Sequence, residues 1–366
     1  MAFSRHIPLL WLLSLAACIL SPAVAQTWTY CNPMERDDCP PNPALSTNYT
    51  CNFTEPLNRV IWNTTAGKVD LVEDGAEFSI VRKLDSPTIQ SHFYIFFGRL
   101  EVHMKAATGQ GVVSSIVLQS ETLDEIDWEW VGSDHGHVQS NYYGKGNTTT
   151  YDRVEYHEVD DPMDKFHNYT VHWTKEKLEW WIDEKLVRTL RYEDALDGKN
   201  YPQTPSTVRL GIWPAGDPGN NQGTIEWAGG EIDYDGIPYT MTVRQLKVED
   251  FSSGKEYVYS DRSGSWESIE IVDGVNPVTE EVLKPPPKSL SQRWAELPSG
   301  AKIAIYCSIA GVVAVGMGII AFCCVKQRRL GRKEFNIENS KFLAERENNL
   351  AMRAQWNRGY KQVGCD

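Results

Sequence analysis

The chain has 366 residues, 41% hydrophobic and 23% charged, which suits a packed core and excludes a wholly disordered or collagen-like chain. Its net charge is -13, concentrated in residues 26–300 with 24 basic and 44 acidic groups, and this excludes a nucleic-acid binder. Aromatics reach 11%, with 13 Trp, a supply that suits sugar-stacking faces or an interface.

Residues 1–25 read as a secretory signal. Arg5 and His6 precede an apolar run from Ile7 to Leu20, and Ala23-Val24-Ala25 supplies a small-x-small cleavage pattern. Residues 26–272 then read as one domain. Alternating or β-rich runs are Glu77–Lys83, Phe93–Lys105, Val112–Leu118, Glu125–Val131, Tyr169–Trp173, Leu178–Ile182, Val208–Trp213, Gly223–Trp227 and Tyr239–Val248. Turn clusters such as Asp217-Pro218-Gly219-Asn220 separate them. Many short strands with period-2 alternation predict an all-β sandwich.

Residues 273–301 change character. Pro277, Pro285, Pro286, Pro287 and Pro298 occur without a hydrophobic period, which predicts a semi-extended stalk. Residues 302–325 follow as a transmembrane helix. Ile303 to Val325 is 23 residues without a charge, and such a helix rises ~34 Å, enough to span a bilayer. Lys326, Arg328, Arg329, Arg332 and Lys333 come next, so the positive-inside rule places residues 326–366 in the cytoplasm. The expected location is the secretory pathway and then the plasma membrane, single-pass, with the large domain outside.

Five N-x-S/T sequons, at Asn48, Asn52, Asn63, Asn147 and Asn168, precede the span and none follows it. Of the eight cysteines only Cys31, Cys39 and Cys51 fall in the oxidising compartment. They allow three single bridges, each leaving one thiol over.

The most informative stretch is Asp124-Glu125-Ile126-Asp127-Trp128-Glu129-Trp130. On a strand, Glu125, Asp127 and Glu129 share one face, while Ile126, Trp128 and Trp130 share the other. Three carboxylates in a row repel one another, and the middle one, Asp127, tends to hold its proton or share it. Paired carboxylates in unlike protonation states are what glycoside cleavage needs, one to attack the anomeric carbon and one to protonate the leaving oxygen. Further candidates for a sugar cleft are Arg209 and Trp213, which share a strand face with Gly211 between them. Gln119 and Tyr142 flank the acidic strand, and Thr224 opens the expected Gly223–Trp227 strand. His135 and His137 could share a strand face as zinc ligands do, but no third ligand is spaced to join them, so no metal is expected. No nucleotide loop or Ser/His triad occurs, and no cofactor is expected.

Glu125-Ile126-Asp127-Trp128-Glu129 resembles the E-I-D-x-E signature of family 16 glycoside hydrolases, and its surroundings resemble the fungal Crh-type cell-wall transglycosylases. The matching segments include Phe97-Gly98-Arg99-Leu100-Glu101-Val102, Asn141-Tyr142-Tyr143-Gly144-Lys145-Gly146, Gly223-Thr224-Ile225-Glu226-Trp227-Ala228-Gly229-Gly230 and Ser263-Gly264-Ser265-Trp266. The resemblance implies a concanavalin-like jelly-roll sandwich with its cleft on a concave sheet. It implies Glu125 as nucleophile, Glu129 as acid/base and substrate-binding residue, and Asp127 as their support. Arg209, Trp213 and Thr224 become substrate-binding candidates, joined by Gln119 and Tyr142. It implies a Cys31–Cys39 disulfide. The activity it implies is cleavage of chitin with transfer to β-glucan or chitin acceptors. A catalytically silent lectin-like module of the same fold, or a plain β-glucan hydrolase, are the alternatives.

Overall fold

The structure, a computed structural model, describes residues 28–285 and 290–362. Strands dominate the first compact unit, which extends to Lys284, and stack as two antiparallel sheets. From edge to edge the first sheet holds Glu155–Glu158, His137–Tyr143, Glu125–Val131, Val113–Ser120, Ser206–Trp213, Thr88–Ser91 and Trp62–Ala66. The second holds Lys185–Arg191, Lys177–Ile182, His167–Trp173, Gly98–Lys105, Tyr239–Asp250, Gly75–Ile80 and Val69–Val72, and Asn48–Asn52 also pairs with Tyr239–Asp250. A small third sheet joins Asn42–Pro43, Glu256–Tyr259 and Ile269–Val272. Pairing of segments distant in sequence, such as Val113–Ser120 with Ser206–Trp213, gives the jelly-roll sandwich that the strand pattern and the resemblance predict.

The acidic strand is held from both sides. Ile126, Trp128 and Trp130 are buried between the sheets. The Trp130 ring centroid lies 4.5 Å from that of Tyr169, edge to face, and Trp128 lies 5.7 Å from the same ring. Trp180 Nε1 donates to the Asp127 backbone carbonyl at 3.2 Å. Immediately before the strand, the Asp124 carboxylate is fully buried and accepts from Lys145 N (2.8 Å), Gln203 N (2.9 Å), Thr204 N (3.0 Å) and Thr204 Oγ1 (2.6 Å). Four donors on one carboxylate fix where Glu125 begins.

Two sequence expectations fail here. Gly223–Trp227 is not a strand: Gln222–Trp227 forms a short helix. Asn221 caps it, its side chain accepting from Thr224 N, and Gly229 and Gly230 end it with φ of +86° and +124°. Six residues are too few for a hydrophobic period to separate helix from strand. Nor is 273–301 uniformly extended. Asn276 caps a helix at Pro277–Val282, and its Nδ2 donates to the carbonyls of Ala44 and Lys255 at 2.7 and 2.6 Å. Val278 and Thr279 are buried against the sandwich, so the domain runs about a dozen residues past the expected boundary.

The second unit contains helices at Leu290–Glu296 and Ser299–Gln362. The latter is long and apolar enough to cross a membrane and includes the charge-free 303–325 segment. The expected signal at 1–25 lies outside the described residues, as do Cys18 and Cys365.

Because Trp130 fills the space between the sheets, Trp130→Ala should cost about 3–5 kcal/mol. Urea unfolding of the sandwich domain would measure it, and a loss below about 1 kcal/mol would contradict this packing.

Candidate active site

In an antiparallel ladder, directly paired residues point to the same face. Glu125 pairs with Tyr143 on one side and Gln119 on the other. Asp127 pairs with Asn141 and Val117, and Val117 with Arg209. Glu129 pairs with Gln139 and Ser115, and Ser115 with Gly211. Val131 pairs with Val113, which pairs with Trp213. The three carboxylates, Arg209, Gln119 and Trp213 therefore share the face turned away from the sandwich core.

This floor has a wall at each end of the strands. At one end Trp213 is buried in a small apolar cluster with Val113, Val131, Ala215 and Ala228. The half-buried Trp227 stacks on it, ring centroids 6.1 Å apart, and its Nε1 donates to Gln139 Oε1 at 2.9 Å. Close backbone packing brings the Trp227 helix in: a Cβ on Gly216 would lie 2.3 Å from the Gly230 carbonyl oxygen. At the other end stands the start of the described chain. Trp28 N donates to Gln119 Oε1 at 3.2 Å, and Arg209 Nη2 donates to the Trp28 carbonyl at 3.2 Å. The Arg209 guanidinium lies 5.1 Å from the Trp28 ring centroid, within cation–π range. Glu121 ties this segment down, accepting from Thr29 Oγ1 and, at 2.5 Å, from Tyr94 OH.

The electrostatics separate the three acids. Burial raises all three. Asp127 is pushed well above the usual carboxylate range, first by burial and then by Glu125 and Glu129. Glu125 is raised by burial, but Asp127 and Arg209 oppose the rise. Glu129 is pushed up to about 8, by burial and then by the Glu125 charge, with only Ser115 Oγ, 3.4 Å away, opposing. Near neutral pH the row thus holds a largely protonated Glu129 beside an Asp127 pushed in the same direction, with Glu125 the acid best placed to ionise.

The sequence candidates divide. Glu125, Asp127, Glu129, Gln119, Arg209 and Trp213 converge on this face. Gln119 is almost wholly buried and Trp213 lies beneath Trp227, so neither is open to solvent as a broad platform. Thr224 sits on the short helix, with its Oγ1 donating to Asn221 Oδ1 at 3.0 Å. Tyr142 is a correction. It pairs with Ile126 and turns into the core, where its ring meets Trp180 and the Arg188 guanidinium. Its neighbour Tyr143 takes the cleft position. Burial, and next the Asp127 charge, push the Tyr143 hydroxyl up to about 12, and Asn141 Nδ2 donates to it at 3.0 Å. The sequence does not choose between the two tyrosines, since Ser140 breaks the polar–apolar alternation of 137–142. Trp227 and Trp28 were also missed, and for Trp28 no period exists to find it by. His137 Nδ1 lies 3.0 Å from Asp134 Oδ1, at the start of its strand. Cys31 and Cys39 are joined, while Cys51 is a half-buried free thiol.

Comparison with known proteins agrees with the fold. Residues 57–229 match the family model of glycosyl hydrolases family 16. A Crh-like protein of Arthroderma benhamiae is 65% identical over 364 residues, covering 100% of both chains. Crh-like protein 3 of Aspergillus fumigatus is 49% identical over 97% of this chain and 99% of its own length. Among solved structures, a Crh5 transglycosylase in complex with NAG shares 53% identity, with a TM-score of 0.64, over 66% of this chain and 99% of its own.

The coupling between acids is measurable. Infrared titration should show a carboxyl group with a midpoint at about 8 that disappears in Glu129→Gln. In Glu125→Gln the same midpoint should move down, because a neighbouring negative charge has gone. An unmoved midpoint would contradict the coupling.

Proposed function

The chain belongs to glycosyl hydrolase family 16, among its Crh-like transglycosylases, and from that premise we propose that it cuts chitin with retention and transfers the released end to β-glucan or chitin acceptors. The observation that carries the assignment of roles is the divergence of Glu129, pushed up to about 8, from Glu125, whose ionised form Asp127 and Arg209 favour.

Glu125 attacks the anomeric carbon while Glu129 gives its proton to the leaving oxygen, so a glycosyl ester forms at Glu125 as the glycosidic bond breaks. Asp127, pushed up by burial and then by the charges of its two neighbours, steadies Glu125. Forming the ester removes the Glu125 charge. Burial still raises Glu129, but the part of the rise due to the Glu125 charge then vanishes, its pKa falls, and the carboxylate left by proton transfer persists as a base. It takes the proton of an acceptor hydroxyl, the acceptor oxygen bonds to the anomeric carbon, and the ester bond breaks to restore Glu125. Water is the competing acceptor at ~55 M, and a sugar held in place outcompetes it because well-oriented groups reach effective molarities far above that. The aromatic walls, with Trp227 at one end of the floor and Trp28 and Tyr143 at the Glu125 end, suit that holding role.

The long C-terminal helix supports a membrane anchor, with the basic residues after 325 keeping the tail in the cytoplasm and the sandwich facing the cell wall. Asn48, Asn52 and Asn63 are exposed, which suits N-glycosylation there; Asn147 and Asn168 are half-buried.

Product analysis tests the function. Labelled chitin oligosaccharides with a β-glucan acceptor should give chitin–glucan hybrids. Glu125→Gln and Glu129→Gln should each lower turnover by ~10²-fold or more, a general acid alone supplying about that. Wild-type cleavage should decline as pH rises through about 8, where Glu129 loses its proton. Hydrolysis products alone at saturating acceptor would leave a plain hydrolase instead.

A further inference from the structure

Of the five sequons, only Asn63-Thr64-Thr65 lies in a strand of the carboxylate sheet. Its register can be followed to the acids. Asn63 pairs with Gln90, Gln90 with Arg209, Arg209 with Val117 and Val117 with Asp127. Directly paired residues share a face, so Asn63 points to the carboxylate side. Its neighbour Trp62 confirms the parity from the opposite direction, being buried in the core 6.0 Å from the Phe93 ring. Asn63 is exposed and stands on the edge strand. Four strand spacings separate it from Asp127, ~19 Å along the sheet. On this row Trp28 covers the Arg209 guanidinium, so a polysaccharide running across the strands from the acids passes over Trp28 before it meets Asn63 at the edge of the sheet.

We propose that Asn63 carries an N-linked glycan that blocks one end of the cleft and limits how much polysaccharide chain binds on that side. The inference rests on the glycan-cleft reading above. An N-glycan is bulky and strongly hydrated, and at an edge strand it competes by excluded volume with any chain long enough to reach it. Short oligosaccharides, bound over the acids, do not reach it. The strand positions of Asn48, Asn52 and Asn168 belong to the other sheet, and their glycans would not have this effect.

The test uses the full-length protein from a eukaryotic secretory host, in a Glu129→Gln background that prevents turnover. Glycopeptide mass spectrometry reads occupancy at Asn63, and titration calorimetry reads affinity for chitin oligosaccharides of increasing length. Three forms lacking the glycan are compared with the intact one: endoglycosidase-trimmed protein, Thr65→Ala, which keeps the asparagine, and Asn63→Gln. Asn48→Gln is the control. The expected result is an occupied Asn63, several-fold tighter binding of long chains in all three forms, and no change for short chains or in the control. An unoccupied Asn63, or a length dependence unaffected by removing the glycan, overturns the proposal. Transfer by the native enzyme is assayed separately, and its failure would count against the transglycosylase reading alone.

Discussion

Three carboxyl groups on one face of one strand, taken out of water together, form the constraint on which the rest of this molecule depends. Side by side and ionised, they would repel strongly in a medium of low dielectric. The fold resolves the conflict by pushing Asp127 and Glu129 toward their protonated forms and setting Arg209 near Glu125. An arrangement this costly needs a rigid support. The support is the opposite face of the same strand, where Trp128 and Trp130 lock against Tyr169, together with the four-donor clasp on Asp124. Packing holds the strand where the electrostatics require it, and the same burial that strains the acids gives them distinct protonation states.

Much of this was legible in the sequence because it is written in period 2. The alternation of acids with Ile126, Trp128 and Trp130 identified both faces of the strand, and the observed Glu125–Val131 bounds match the expected ones. The same arithmetic put Arg209 and Trp213 on one face together, as the ladder has them. What period cannot supply is register between strands. Tyr142 and Tyr143 are adjacent, and only the pairing of Tyr143 with Glu125 decides which one faces the sugar. Nor can it identify short helices made of strand-favouring residues. Thr224, Ile225 and Trp227 read as a strand, yet Asn221 and the paired glycines at 229 and 230 bend them into a helix that delivers Trp227 to the cleft. The Asn276-Pro277 pair was an N-terminal helix signal available in the sequence, masked by the prolines that follow. Trp28 reaches Arg209 across 181 residues, and no local pattern reports such a contact.

The cleft is assembled from pieces that differ in origin. Its floor is regular sheet, and its walls are the irregular segment at Trp28 and a short helix. Specificity can therefore change at the walls without disturbing the acids, consistent with function residing in sites carried by a scaffold. The proposed choice of a sugar over water as acceptor belongs to those walls, while bond breaking belongs to the floor.

The central claim is that Glu125 becomes covalently bonded to the sugar, and trapping the intermediate tests it most directly. A Glu129→Gln enzyme given a chitin oligosaccharide with an activated leaving group needs no acid to load, but lacks the base to unload. Peptide mass spectrometry of the quenched enzyme should then find the glycosyl mass on Glu125. A glycosyl mass on Asp127 in place of Glu125, or a folded enzyme that turns over with Glu125 never labelled, would contradict the account and point to a mechanism in which another group, such as the substrate's own acetamido oxygen, attacks.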